Sequence, residues 1–113
     1  MTDNIVILCT CSGDEEAERI ARALVEARLA ACVNIVPHLR SVYRWQGAVE
    51  NAAECLLIIK SSSTLFPMVR DALKQAHSYE VPEIIALPIL EGAPDYLHWL
   101  DENLHPQSGT EPK

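Results

Sequence analysis

Ser41-Val42-Tyr43-Arg44-Trp45-Gln46-Gly47-Ala48 is the stretch on which the fold turns. Residues 41–45 are strand-like and alternate with the two-residue period of a half-buried strand. Gln46-Gly47 supplies a turn, and a long strand returns over residues 48–61, ending in the apolar run Leu56-Leu57-Ile58-Ile59. The centre of the chain therefore reads as a β-hairpin. On its N-terminal side, residues 31–36 predict a strand closed by Pro37. Before that, Ala17, Ile20, Ala21 and Leu24 recur at helical spacing, giving a helix to about residue 29. Ser12 with Glu15 forms a capping box for it, and Asp14, Glu15 and Glu16 suit the positive end of its dipole. Residues 5–11 form a continuous β-branched run, the pattern of a central strand covered on both faces.

On the C-terminal side, Ser62, Ser63 and Thr64 offer helix caps, with Pro67 tolerated in the first turn. Leu65, Met68, Val69, Ala72, Leu73 and Ala76 make the apolar stripe of that second helix. Residues 83–90 predict a last strand, with Pro88 placing its far half at an edge or bulge. Pro94 opens a C-terminal helix carrying Tyr96, Leu97, Trp99, Leu100 and Leu104. The order is βαββαβ plus a helix, an α+β ferredoxin-like sandwich with a long hairpin between its second and third strands. Residues 1–104 make one domain, and residues 105–113 a polar tail expected to be disordered.

The chain has 113 residues, of which 49% are hydrophobic and 22% charged, an ordinary globular balance for one domain. Its net charge of −7 excludes the cationic footprint of a nucleic-acid binder and disfavours an anionic membrane surface. No targeting segment or membrane span is visible, so the expected location is cytoplasmic. Cys9, Cys11, Cys32 and Cys55 then read as free thiols, with no C-x-x-C pair among them.

One magnitude points beyond a monomer. Residues 48–60 as a straight strand would span on the order of 40 Å at about 3.3 Å per residue. A compact domain of this size is roughly 35 Å across. The hairpin must bend or project, and a projecting hairpin exposes edges and aromatics that soluble proteins cover. Association through it is the simplest answer, with Tyr43 and Trp45 as interface anchors or as a ligand platform.

Cys9 and Cys11 stand two apart on a strand and share a face, either as a chelating pair or as two small buried hydrophobes. Cys32 and Cys55 read as packing residues. His77, Tyr79 and Glu83 surround the loop after the second helix. His77 could bind a cation or cap the helix, and Tyr79 could belong to a site or only shape the loop. Lys60 ends an apolar strand, where it either snorkels or places a cation in an inter-subunit cleft. His38, His98 and His105 read as solvated surface residues. No nucleophile elbow, Walker loop or G-x-G-x-x-G occurs, so no enzyme class gains support.

Several separated motifs occur in one order: Ala30-Ala31-Cys32-Val33-Asn34-Ile35-Val36-Pro37, Ser41-Val42-Tyr43-Arg44-Trp45-Gln46-Gly47, Ile58-Ile59-Lys60, His77-Ser78-Tyr79-Glu80-Val81-Pro82-Glu83-Ile84-Ile85 and Tyr96-Leu97-His98-Trp99. Together they resemble the CutA divalent-cation tolerance proteins over residues 5–104. The resemblance implies a ferredoxin-like fold, a homotrimer built through the long hairpins, and a link to divalent metal ions, copper in particular. It implies metal ligands at a first-strand cysteine, here Cys9, and at a histidine pair whose second member is His77 and whose first is replaced by Ala76. Copper or another divalent metal is thus expected to bind weakly, with His77 the more reachable ligand. An inter-subunit cleft is expected from Tyr43, Trp45, Lys60, Tyr79 and Glu83. The alternative reading is a PII-like signalling or scaffold trimer that takes a small ligand in such clefts. Neither is an enzyme; a third reading would use His77, Glu83 and Lys60 catalytically.

Overall fold

In the computed structural model, which describes residues 2–106, the elements run β1 (Asn4–Cys11), α1 (Asp14–Glu26), β2 (Cys32–Trp45), β3 (Ala48–Ser62), α2 (Phe66–Ala76), β4 (Ile85–Pro88) and α3 (Pro94–Glu102). The four strands form one antiparallel sheet in the order β2-β3-β1-β4. This is the ferredoxin-like arrangement expected from the sequence, with β1 and β3 at the centre and β2 and β4 at the edges.

Side-chain alternation divides the sheet into two faces. Ile5, Ile7, Cys9 and Cys11 of β1 and Leu57 and Ile59 of β3 are buried in one core with Ala17, Ile20 and Leu24 of α1, Val69 and Leu73 of α2, and Leu100 of α3. The opposite face carries Val6, Leu8, Leu56 and Ile58, paired across the sheet with Ile85 and Leu87 of β4 and Val36 of β2. That face is apolar but uncovered within one chain: Ile85 is 50% exposed and Leu87 49%. The expectation that β1 is covered on both sides therefore holds for one side only in the single chain. The apolar run is present because both faces are apolar, not because both are packed.

The second strand does not stop at Pro37. It continues to Trp45 through a bulge, in which Val36 pairs with Leu56 and Leu39 with Glu54. Pro37 and His38 thus oppose the single residue Cys55. Pro37 is tolerated because β2 is an edge strand with no ladder to donate to on its outer side. His38 absorbs the extra residue with φ 63, a left-handed conformation that non-glycine residues seldom adopt. Beyond the bulge the hairpin closes on Gln46 (φ 50) and Gly47 (φ 83), the positive-φ pair of a tight two-residue turn. The arm projects, so the molecule measures 52 × 27 × 25 Å, with a radius of gyration of 15.0 Å. A compact chain of this length would have about 13 Å.

Other boundaries differ locally. Gly13 rather than Ser12 caps α1, and the Ser12 backbone N–H and hydroxyl both donate to Glu16 instead of Glu15. The last strand is confined to Ile85–Pro88, leaving Glu83 and Ile84 in the preceding loop. The His105 N–H donates to the Arg28 carbonyl at 2.7 Å, which ties the end of α3 to the α1–β2 turn. The expected tail lies, from residue 107 onward, outside the described residues.

Because only the backbone of His38 is unusual, its substitution discriminates conformation from packing. His38→Val places a β-branched residue at positive φ and is expected to cost about 1–2 kcal/mol. Arg40→Val, on the same exposed strand, is expected to change stability little. Chemical denaturation of the two variants checks the difference; equal costs would mean that the bulge relaxes.

Candidate functional site

The end of β1 and the end of α2 bring three donor side chains together. Cys9 and Cys11 point into the core from β1. His77 follows α2 directly, its N–H still bonded to the Leu73 carbonyl while its backbone turns extended (φ −82, ψ 144). The two sulfurs and a ring nitrogen of His77 lie within 4.8 Å of one another, and all three residues are buried. Sequence reading paired His77 with Cys9; Cys11 joins them because it shares the Cys9 face.

His77 is not the reachable group its loop position suggested. Its side chain is 0% exposed, because the ring turns inward beneath Tyr79, with the two ring centroids 4.6 Å apart. Both ring nitrogens are engaged. Nε2 lies 2.7 Å from the Thr10 carbonyl oxygen, and the Tyr79 N–H donates to Nδ1 at 3.0 Å. One tautomer satisfies both partners: the proton sits on Nε2, which donates, and Nδ1 accepts.

The thiols differ in character. Hydrogen bonding with Cys11, followed by burial, pushes Cys9 well above the usual thiol range. The same bond pulls Cys11 down, outweighing its own burial. Cys9 therefore keeps its proton and Cys11 is the one that ionises more readily. Cys55 is held up at about 11 by burial and then by Asp14, to whose Oδ1 it donates at 3.2 Å.

Glu16 supports this cluster and was not singled out from the sequence. It is 7% exposed. Its Oε1 accepts from the Ser12 N–H at 3.0 Å and from the Ser12 hydroxyl at 2.9 Å, and its Oε2 accepts from the Ser78 N–H at 2.7 Å. Oε2 also lies 3.9 Å from His77 Nδ1. Burial alone would raise its pKa, but the donors from Ser12 and Ser78 overcome this and hold it at about 2. One carboxylate thus joins the β1–α1 turn to the loop that carries His77.

On the opposite, open face of the sheet lies a cleft of about 510 Å³ between the hairpin arm and the loop after α2. It is lined by Tyr43 and Trp45 of β2, Glu54 of β3, Thr10 of β1, and residues 79–83. Tyr43, Trp45, Tyr79 and Glu83 are therefore brought together. Lys60 is not: it pairs with Cys32 and Val6 at the far end of the sheet and donates to Asn34 Oδ1. At the floor, the Tyr79 hydroxyl donates to Glu54 Oε2 at 2.6 Å. Burial, and then this bond to a carboxylate, raise the Tyr79 pKa. Among the described residues, no helix is long and apolar enough to cross a membrane.

Comparison with known proteins places the chain in a family and matches its overall fold. The model of the family described as "CutA1 divalent ion tolerance protein" matches residues 5–103. The "Divalent-cation tolerance protein CutA" of Thermus thermophilus is 55% identical over 98 residues, covering 87% of this chain and 95% of that protein. "Protein CutA" of Mus musculus is 47% identical over 93 residues, covering 82% of this chain but 52% of its own length, so this chain spans about half of that relative. A solved structure of the divalent cation tolerance protein of Thermus thermophilus superposes with a TM-score of 0.88 at 53% identity, covering 90% of this chain and 99% of that one.

Glu16 generates a pH prediction with a definite sign. Its folded-state pKa of about 2 lies below the ordinary 4.5, so its stabilisation is complete above about pH 4.5 and is lost as pH falls toward 2. Glu16→Gln is expected to lower stability at pH 7 by on the order of 2–3 kcal/mol. Urea unfolding of parent and variant at pH 7 and pH 2.5 checks it: the gap must shrink in acid. A gap independent of pH would assign the loss to packing rather than charge.

Proposed function

The chain belongs to the CutA1 divalent ion tolerance family, and from that premise we propose that it is a homotrimeric, cytoplasmic protein that binds copper or a similar metal ion through Cys9, Cys11 and His77. The observation that carries the metal reading is the convergence of two sulfurs and an imidazole within 4.8 Å. Soft thiolate and imidazole donors suit copper better than hard cations. Cys11 offers the thiolate more readily, whereas Cys9 must release its proton on binding. His77 must give up one of its two hydrogen bonds, and the bond from the Tyr79 N–H leads to the loop rather than into the sheet. Loss of that bond, together with the burial of all three donors, makes binding weak. The ion is cargo to be held, and no catalysed reaction is assigned.

The trimer reading draws support from the uncovered apolar face and the projecting arm. Val6, Leu8, Leu56, Ile58, Ile85 and Leu87 form one continuous patch on the face away from the helices. Burying it against other copies would gain about 25 cal/mol per Å² of apolar surface. The free state of all four cysteines suits the reducing cytoplasm.

Two measurements test these readings. In anaerobic copper titration, Cys11→Ser and His77→Ala are each expected to weaken binding about tenfold or more, and parent affinity is expected to rise from pH 6 to 8 as Cys9 releases its proton more easily. Unchanged affinity in both variants would place the metal elsewhere. In sedimentation, the parent is expected as a trimer at micromolar concentration and Leu87→Glu as a smaller, folded species. A parent that stays monomeric would overturn the assembly.

A further inference from the structure

The cysteine–histidine cluster restricts the charge and coordination of the ion it can hold, and the restriction runs against the divalent ions of the family name. It rests on the metal reading above, because it concerns the same three side chains. Cys9 and Cys11 lie beneath the helices, on the face of the sheet turned away from the hairpin cleft, and they and His77 are buried by their own chain. Further copies packed on the open face can only add to that burial.

Three donors are present and a fourth is missing. Two sulfurs and one ring nitrogen converge within 4.8 Å, and among the described residues no further Cys, His, Asp or Glu joins them. Glu16 stays outside the group: its Oε1 accepts from Ser12 and its Oε2 from the Ser78 N–H. The Thr10 carbonyl oxygen, 2.7 Å from His77 Nε2, is already taken up by that hydrogen bond. Solvent does not reach the cluster either, since Cys9 and Cys11 are 0% exposed and so is the His77 side chain. An ordered internal water needs two to four polar partners. Among the described residues no buried side-chain nitrogen or oxygen lacks a partner, so none is left over to hold one.

The common metal ions answer differently to such a set. Zinc in proteins takes four ligands in a tetrahedron, and where the protein supplies three, water fills the fourth place. Cu(II) prefers square-planar or tetragonal nitrogen and oxygen donors. Both are poorly served by two sulfurs and one imidazole in a water-free core. Soft sulfur donors select Cu(I). As a closed-shell ion of single charge, Cu(I) is stable with three donors, and it gives up less hydration than a divalent ion on entering an apolar interior.

We propose that the cluster selects Cu(I) over divalent ions and holds it through Cys9, Cys11 and His77 alone, three-coordinate and without water. The full-length protein is titrated anaerobically at a single neutral pH. Cu(I) is supplied as its acetonitrile complex in competition with a coloured Cu(I) chelator; Zn(II) and Co(II) are titrated separately. A single Cu(I) per chain is expected, with an X-ray absorption spectrum of two sulfurs and one nitrogen. Zn(II) is expected to bind at least about a thousandfold more weakly, and Co(II) to develop no sulfur-to-metal charge-transfer band. Cys11→Ser and His77→Ala are each expected to lower Cu(I) affinity by about tenfold or more. The absorption spectrum is taken on the parent, so a variant that fails to fold does not decide the result. A fourth light ligand in that spectrum would overturn the coordination. Zn(II) or Co(II) bound as tightly as Cu(I), and lost in Cys11→Ser, would overturn the selectivity while leaving the metal reading standing. Cu(I) bound equally by the parent and both variants, or not bound by the parent at all, would overturn the two together.

Discussion

The side chains gathered at the candidate site depend on the two-sided use of β1. Alternation sends Cys9 and Cys11 beneath the helices and Thr10 to the open face, within one tripeptide. Thr10 lines the cleft while its carbonyl accepts a hydrogen bond from His77 Nε2. A one-residue slip of β1 against β3 would exchange the two faces and disperse both the cysteine–histidine cluster and the cleft lining. The eight-residue register with β3, from Asn4↔Ser62 to Cys11↔Cys55, thus decides which side chains meet on each face.

The loop between α2 and β4 has no regular structure, yet it is held by specific bonds. Ser78 donates to Glu16, Tyr79 donates through its N–H to His77, and its hydroxyl donates to Glu54. Each partner lies on a different element: α1, the end of α2, and β3. Fixing a loop at three such points positions side chains more accurately than the loop's own residues could, as sites on rigid supports require.

The fold was largely legible because each element announces itself locally. The alternation of residues 41–45, the turn at Gln46-Gly47 and the helical stripes of α1 and α2 require no knowledge of partners. Pro37 misled for the same reason: whether a proline ends a strand depends on whether its neighbour is an edge, which only pairing reveals. The candidate site was half legible. Cys9, His77, Tyr43, Trp45, Tyr79 and Glu83 carry recognisable chemistry. Glu16 and Glu54 look like any solvated acid in sequence, because the bonds that tie them to the loop after α2 come from 62 and 25 residues away. Lys60 stands beside Cys32 in the register, apart from the cleft residues of its own chain.

Tyr79 touches both sites, through its amide at His77 and its hydroxyl at Glu54. Whatever displaces it from one necessarily alters the free energy of the other. Under the proposed metal reading, an ion on His77 Nδ1 would free the Tyr79 amide, and the shift would be felt at Glu54 through the Tyr79 hydroxyl. Any such coupling would be reciprocal: a change at Glu54 would alter ion affinity at His77 by the same factor as the ion alters the change at Glu54. A single tyrosine, through one backbone bond and one side-chain bond, thus ties the cysteine–histidine cluster to the far face of the sheet.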